Sequence, residues 1–240
     1  MKGEKQNIAT LLTGNPYPGR GIVSGMSADG KCACFAYFIM GRSENSRNRV
    51  LEEREGALFT RAFDESKVKD PSLIIYPAMR RVKGDVIVTN GDQTDTVFHA
   101  LQAGKGFFEA LESREYEPDE PNYTPRISAL LHLSARPFSY DMSILKRGSA
   151  GECLRLRYSY EGQAGVGHFI HTYLTDGDPL PSFEGDPKPV LIPAEIDAFA
   201  PALWAALDEQ NKISLFVRYF NLETGEQTTR LFNKNQRSSK

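Results

Sequence analysis

Nine consecutive residues, Gly41-Arg42-Ser43-Glu44-Asn45-Ser46-Arg47-Asn48-Arg49, carry three arginines, two asparagines and two serines directly after an apolar run. Guanidinium forks match phosphate oxygens in pairs, and serine and asparagine side chains suit a ribose or a phosphate. The stretch reads either as a site for a small anion or as a solvated turn. Thr89-Asn90-Gly91-Asp92-Gln93-Thr94-Asp95 is a second candidate. It leads into a helical pattern, and free backbone N–H groups at a helix start favour an anion or a polar ligand. A turn with a helix cap explains the same residues. Tyr76 lies in the run Leu73-Ile74-Ile75-Tyr76 before Pro77, which marks a strand edge or end. Its hydroxyl is either satisfied in the core or presented for chemistry. Finally, Glu117 to Arg126 sets carboxylates ahead of Asn122-Tyr123-Thr124-Pro125-Arg126. That order can place a proton-transfer group beside an anion binder, or it is a polar surface loop.

Other chemistries lack their residues. His99, His132, His168 and His171 make no metal pattern, and His168 and His171, three apart in a strand, face opposite sides. No metal is expected. Phosphate-loop, dinucleotide and serine-elbow motifs do not occur. Cys32, Cys34 and Cys153 form no Cys-x-x-Cys pair and read as reduced core thiols. With 29 basic and 31 acidic residues the net charge is −2, so no basic track argues for nucleic acid. No run approaches the ~18 apolar residues of a membrane span, and residues 1–13 lack the pattern of a secretion signal. A cytoplasmic protein without membrane contact is expected.

The elements that must position these residues are mostly strands. Residues 1–19 read as a polar lead-in. Gly21–Met26 and Lys31–Met40 form a hairpin around Asp29-Gly30. Strands follow at Ala57–Ala62, Leu73–Met79 and Val86–Thr89, with a turn at Val82–Asp85. Helices are expected at Gln93–Gln102, with Asp92 as N-cap, and at Lys105–Arg114. Further strands are expected at Arg126–Leu133, Ser139–Leu145, Glu152–Tyr160 and Val166–Leu174. Asp176–Pro193, with five prolines, reads as a loop. Ala194–Asp208 has helical spacing. Ile213–Phe220 and Glu226–Phe232 make a final hairpin, and 233–240 a frayed tail. Runs of strands broken by helical groups indicate one α+β domain over 1–240 rather than alternating βαβ units.

Five of these pieces, in order, resemble the archaeal-type IMP cyclohydrolase family. They are the arginine loop ending at Arg49, Ile74-Ile75-Tyr76-Pro77 with Arg80, Gly84–Gly91 with Thr94-Asp95, Tyr116-Glu117, and Thr124-Pro125-Arg126-Ile127. The resemblance covers about residues 20–133. It implies a four-layer αββα sandwich, Ntn-hydrolase-like but without an N-terminal nucleophile. It implies cofactor-free cyclisation of 5-formamidoimidazole-4-carboxamide ribotide (FAICAR) to IMP and water, in a homo-oligomer. It gives catalytic roles to Tyr76, Glu117 and Arg42. Arg47, Asn45, Asn90, Gly91, Arg126 and Thr124 would bind substrate. Two alternatives stand beside it. A related amidohydrolase would need Cys34, Ser43 or Ser46 as nucleophile, and a nucleotide-binding protein without catalysis would need none.

Overall fold

The computed structural model of the chain describes residues 5–68 and 75–235. Among the described residues thirteen strands form two antiparallel sheets. The first sheet contains β1 (Arg20–Met26), β2 (Cys32–Met40), β10 (Val166–His171), β11 (Lys188–Leu191), β12 (Lys212–Asn221) and β13 (Gln227–Asn233), in the order β11-β10-β1-β2-β12-β13. The second runs in sequence order through β3 (Arg49–Arg54), β4 (Ala57–Ala62), β5 (Pro77–Val82), β6 (Asp85–Thr89), β7 (Arg126–His132), β8 (Ser139–Arg147) and β9 (Cys153–Glu161).

Alternation explains why the sheets stack. In β2, Phe35, Tyr37 and Ile39 enter a core shared with Leu58, Met79, Val88, Ile127 and Met142 of the second sheet. Cys34, Ala36, Phe38 and Met40 point the other way, onto a second core with Ile8 and Leu12 of α1 (Ile8–Leu12) and Phe199 and Leu203 of α5 (Ile196–Ala206). Both faces of β2 are therefore covered, which is why its sequence is one apolar run. The outer face of the second sheet packs Ile87 and Leu130 against Val97 of α3 (Gln93–Gln102) and Phe107 of α4 (Phe107–Ala110). Removing a ring from the shared core, as in Phe35→Ala, is expected to cost about 3–5 kcal/mol, read as a fall in melting temperature.

The expected hairpins and the helices at Gln93–Gln102 and Ala194–Asp208 stand, with ends shifted by a few residues. The helix expected over Lys105–Arg114 is instead the short α4 followed by a 3-10 turn, Leu111–Ser113, and other expectations also need correction. The lead-in is not merely polar: Ile8, Leu12 and Tyr17 are buried, and α1 packs on α5. β3 was not expected because Glu52, Glu53 and Arg54 look like loop, yet an edge strand tolerates such charge. The proline-rich stretch contains β11, whose Pro189 sits on an edge strand where no ladder donor is needed. The strand expected over Leu73–Met79 begins only at Pro77 and continues to Val82; Leu73 and Ile74 lie outside the described residues. In the tail, Asn233 ends β13 and Lys234 N–H donates to Ile213 O at 2.8 Å, while 236–240 lie outside the described residues.

Three histidines shape the pH range of stability. His132 bridges Asp141 (3.0 Å) and Asp85 (3.2 Å), and these partners raise it from its ordinary 6.5 to about 9. Its contribution is full below the unfolded value near 6.5 and is lost as pH rises through 9. Burial instead holds His168 and His171 down at about 4. The unfolded chain takes up protons there first, so stability falls as pH drops from 6.5 toward 4. Melting temperature against pH should peak near 6.5, and His132→Asn should flatten only the alkaline side.

Candidate active site

One end of the space between the sheets opens into a cavity of about 280 Å³. That is near the small end for ligand pockets, enough for one small polar molecule. Its charged lining is Arg20, Arg42, Arg49, Glu117 and Asp119. Tyr17, Tyr173, Ser43, Asn45, Ser46, Asn122 and Leu180 complete the wall. Three guanidiniums against two carboxylates leave an excess of positive charge for an anion.

Each strand contributes through its inward parity. Ile22 of β1 points into the shared core, so Arg20, two residues earlier, does too. It is buried, stands 3.7 Å from Glu117, and its Nε has no hydrogen-bond partner. Gly19 precedes it at φ +80°, where a Cβ would lie 2.2 Å from Thr172 Oγ1 and 2.6 Å from the Tyr173 ring. Only glycine allows this approach, which seats Tyr173 in the wall. Arg49 opens β3 and is 2 % exposed; its Nε donates to Ser46 O (2.8 Å) and one Nη to Met40 O (3.2 Å).

The nine-residue stretch is not a plain loop. Glu44–Arg47 forms a one-turn helix, α2, closed by a reciprocal cap between Ser43 and Ser46. Many of its donors hold the chain itself. Asn48 brackets the backbone of Asp64, donating to its O and accepting from its N, both at 2.8 Å. Arg47 donates to Gly41 O and Asn211 Oδ1 at 3.1 Å, and it faces away from the cavity. The turn of α2 directs Arg47 outward, and Arg49 at the start of β3 points in. Arg42 lies at the rim, over the Tyr17 ring at 5.1 Å, pairing with Asp176 and donating to Gly177 O at 2.8 Å. Asn45 lines the cavity with an Oδ1 that is buried and unpartnered.

Glu117 is 3 % exposed. Burial pushes its carboxyl above the ordinary range, although Arg20 and Arg126 pull against that shift. The segment behind it fixes its place: Glu117 N–H donates to Thr124 O at 2.9 Å, while the Thr124 hydroxyl meets Asp119 and Tyr173. Thr124 and Arg126 thus support the wall without lining it. Arg126 Nη1 donates to Asp92 Oδ1 (2.7 Å) and Gln93 Oε1 (2.8 Å). Asn90 is fully buried, donating to Pro125 O (2.9 Å) and accepting from Ile127 N (2.8 Å) and Gln93 Nε2 (3.0 Å). Gly91 is where Arg126 passes: a Cβ there would lie 2.6 Å from its Nη1. Asn90, Gly91, Thr124 and Arg126 thus form a hydrogen-bonded layer beside the cavity lining. The helix start after Asp92 is filled by the same network, and Asp92 pairs with Arg126 and Arg114 instead of capping. Asn122 lines the cavity and accepts from Leu180 N–H at 3.0 Å, whereas Tyr123 lies under Arg147 at 4.4 Å.

Tyr76 is 3 % exposed and shares a hydrogen bond with Tyr37, hydroxyl to hydroxyl at 2.8 Å. It is not a lining residue, but it is electrostatically coupled to Arg20 and Arg49, which are. Sequence reasoning missed Arg20, Tyr37 and the inward turn of Arg49. Parity with Ile22 was the available signal for Arg20. The candidate nucleophiles fare poorly. Cys34 lies in the outer core, opposite Gly25 at the far end of β2, with burial pushing its thiol up. Ser43 and Ser46 spend their hydroxyls on each other. A larger cavity, about 680 Å³, lies along β9, β10 and β11 around Tyr160 and His168, but it holds no arginine.

The chain is thus an α+β protein of two stacked antiparallel sheets with an arginine- and carboxylate-lined cavity between them. It belongs to the IMP cyclohydrolase-like protein family, whose model matches residues 17–225 and so takes in the whole cavity lining. It is 36% identical over 118 residues to an IMP cyclohydrolase of Methanopyrus kandleri, covering 48% of this chain and 58% of that protein. It is 31% identical over 119 residues to an IMP cyclohydrolase of Methanothrix thermoacetophila, covering 48% of this chain and 57% of the relative. The chain thus spans less than two thirds of the length of either relative. Among the described residues no helix is long and apolar enough to cross a membrane.

Proposed function

We propose that the chain is an IMP cyclohydrolase that closes FAICAR to IMP with loss of water, on an Ntn-hydrolase-like αββα scaffold that does not use an N-terminal nucleophile. The observation that carries the reading is the cavity: buried Arg20 and Arg49 beside buried Glu117, with the Tyr37–Tyr76 pair coupled to them. Family membership and the names of the relatives agree with it.

In this reaction the carboxamide nitrogen attacks the formyl carbon of the same molecule. One N–H proton leaves as the N–C bond forms. The hydroxyl on the new ring carbon then departs as water, with a ring N–H proton lost. Holding the two groups together supplies much of the rate, since the step is intramolecular. The rest is proton transfer and charge stabilisation. Tyr76 takes the carboxamide proton as it passes its own hydroxyl proton to the formyl oxygen, which makes the hydroxyl on the new ring carbon; this requires the carboxamide to enter between Arg20 and Arg49. Glu117, held above the ordinary carboxylate range by burial, delivers a proton to the departing hydroxyl and regains one from the ring N–H. The guanidiniums of Arg20 and Arg49 hold the carboxamide oxygen, which remains as the ring carbonyl of IMP, and stabilise the developing oxyanion; Arg42 and Asn45 at the mouth hold ribose and phosphate.

The scheme asks nothing of a cofactor. Turnover of FAICAR should be unchanged after chelation and dialysis, followed as IMP formation. A strict requirement for an added metal would end this mechanism.

A further inference from the structure

We propose that Tyr37 is a positioning residue for this chemistry, donating its hydroxyl proton to the oxygen of Tyr76 so that Tyr76 acts as the proton acceptor. The inference rests on the roles given above to Tyr76 and Glu117, and adds a residue that no motif marks.

Tyr37 is 0 % exposed in the middle of β2, and the Tyr76 hydroxyl at 2.8 Å is its hydrogen-bond partner. A buried phenol keeps its proton unless something carries it off, and burial together with Tyr76 pushes Tyr37 well above the ordinary range. The two hydroxyls share one hydrogen bond, so its polarity is a choice between two arrangements. With Tyr76 donating, its proton is directed away from the ligand and its oxygen cannot take another. With Tyr37 donating, the Tyr76 oxygen is the acceptor of the pair and can carry negative charge.

The charges around the pair favour the second arrangement. Arg20 from β1 and Arg49 from β3 act on both phenols, and Arg20 is also coupled to Glu117, Tyr17 and Tyr173. Arg20 and Arg49 bring positive charge to the pair, and Glu117 is held toward its neutral form. Charge that develops on the Tyr76 oxygen during the proton exchange meets two guanidiniums and one phenol, and Tyr37 keeps its proton.

The test is Tyr37→Phe, which keeps the ring and removes the donor. The kcat for IMP formation should fall about 10- to 100-fold, the worth of one hydrogen bond to a charged group, with KM little changed. A merely structural role would lower melting temperature and leave kcat in place, and that result would overturn the proposal. If Tyr37→Phe does not fold, fluorotyrosine labelling of the unmutated chain gives the answer. The fluorine signal of Tyr37 should shift when IMP fills the cavity, and a signal that IMP does not move would overturn it. Full activity in Tyr76→Phe would instead remove the underlying reading of the site.

Discussion

Glu117→Gln and Tyr76→Phe are each expected to lower kcat for IMP formation about 10²–10⁴-fold, the usual worth of a placed acid or base. KM should move far less, because neither group is assigned to ground-state binding. Glu117→Gln keeps the shape of the side chain and its backbone anchor to Thr124 O, but it removes the proton that departing water needs. Tyr76→Phe keeps the ring in the shared core. It does leave the buried Tyr37 hydroxyl without a partner, which costs about 1–3 kcal/mol. Its melting temperature should therefore fall measurably while the fold persists. Steady-state kinetics with parallel melting curves separate the two effects. If both variants keep near-normal kcat, the proton transfers belong to other groups.

Arg20→Gln carries the second large effect. Arg20 is the buried partner of Glu117 and a wall of the cavity, so its loss acts twice. Removing one partner of a buried pair destabilises by about 3–5 kcal/mol. Each charged hydrogen bond lost to a ligand weakens binding by about 1.5–3 kcal/mol, roughly 10- to 150-fold. Calorimetry with IMP should show this loss, and it should recur for Arg49→Gln. Arg47→Ala should bind IMP almost normally, because its guanidinium is turned to Gly41 O and Asn211. Loss of affinity in Arg47→Ala with none in Arg20→Gln would reverse the assignment.

The contrast between Arg47 and Arg49 shows what the chain reveals before it is folded. The arginine-rich stretch after an apolar run drew attention to a segment that lines the cavity through Arg42, Ser43, Asn45, Ser46 and Arg49, and Glu117 ahead of Thr124-Pro125-Arg126 lines it too. Which arginine enters the cavity depends on one turn of helix, capped by Ser43 and Ser46, and composition does not reveal that turn. Tyr37 was hidden for a different reason. β2 is apolar on both faces, so nothing in its residue pattern tells which face meets the site. Asn90-Gly91 is ambiguous in the sequence because a polar pair beside a helix start can serve its own backbone as well as a ligand, and here Asn90 joins Pro125, Ile127 and Gln93. Most strands and the two long helices were visible from alternation and spacing. β3 and β11 were not, since charge and proline on edge strands look like loop.

The most direct measurement is to mix the purified chain with FAICAR and follow its conversion to IMP, identified by mass and by its purine absorbance. Stoichiometric IMP is expected, formed far faster than without protein, with its formation abolished in the Tyr76→Phe, Glu117→Gln double variant. FAICAR that binds and remains unchanged, or hydrolysis of its formyl group in place of ring closure, would contradict this mechanism.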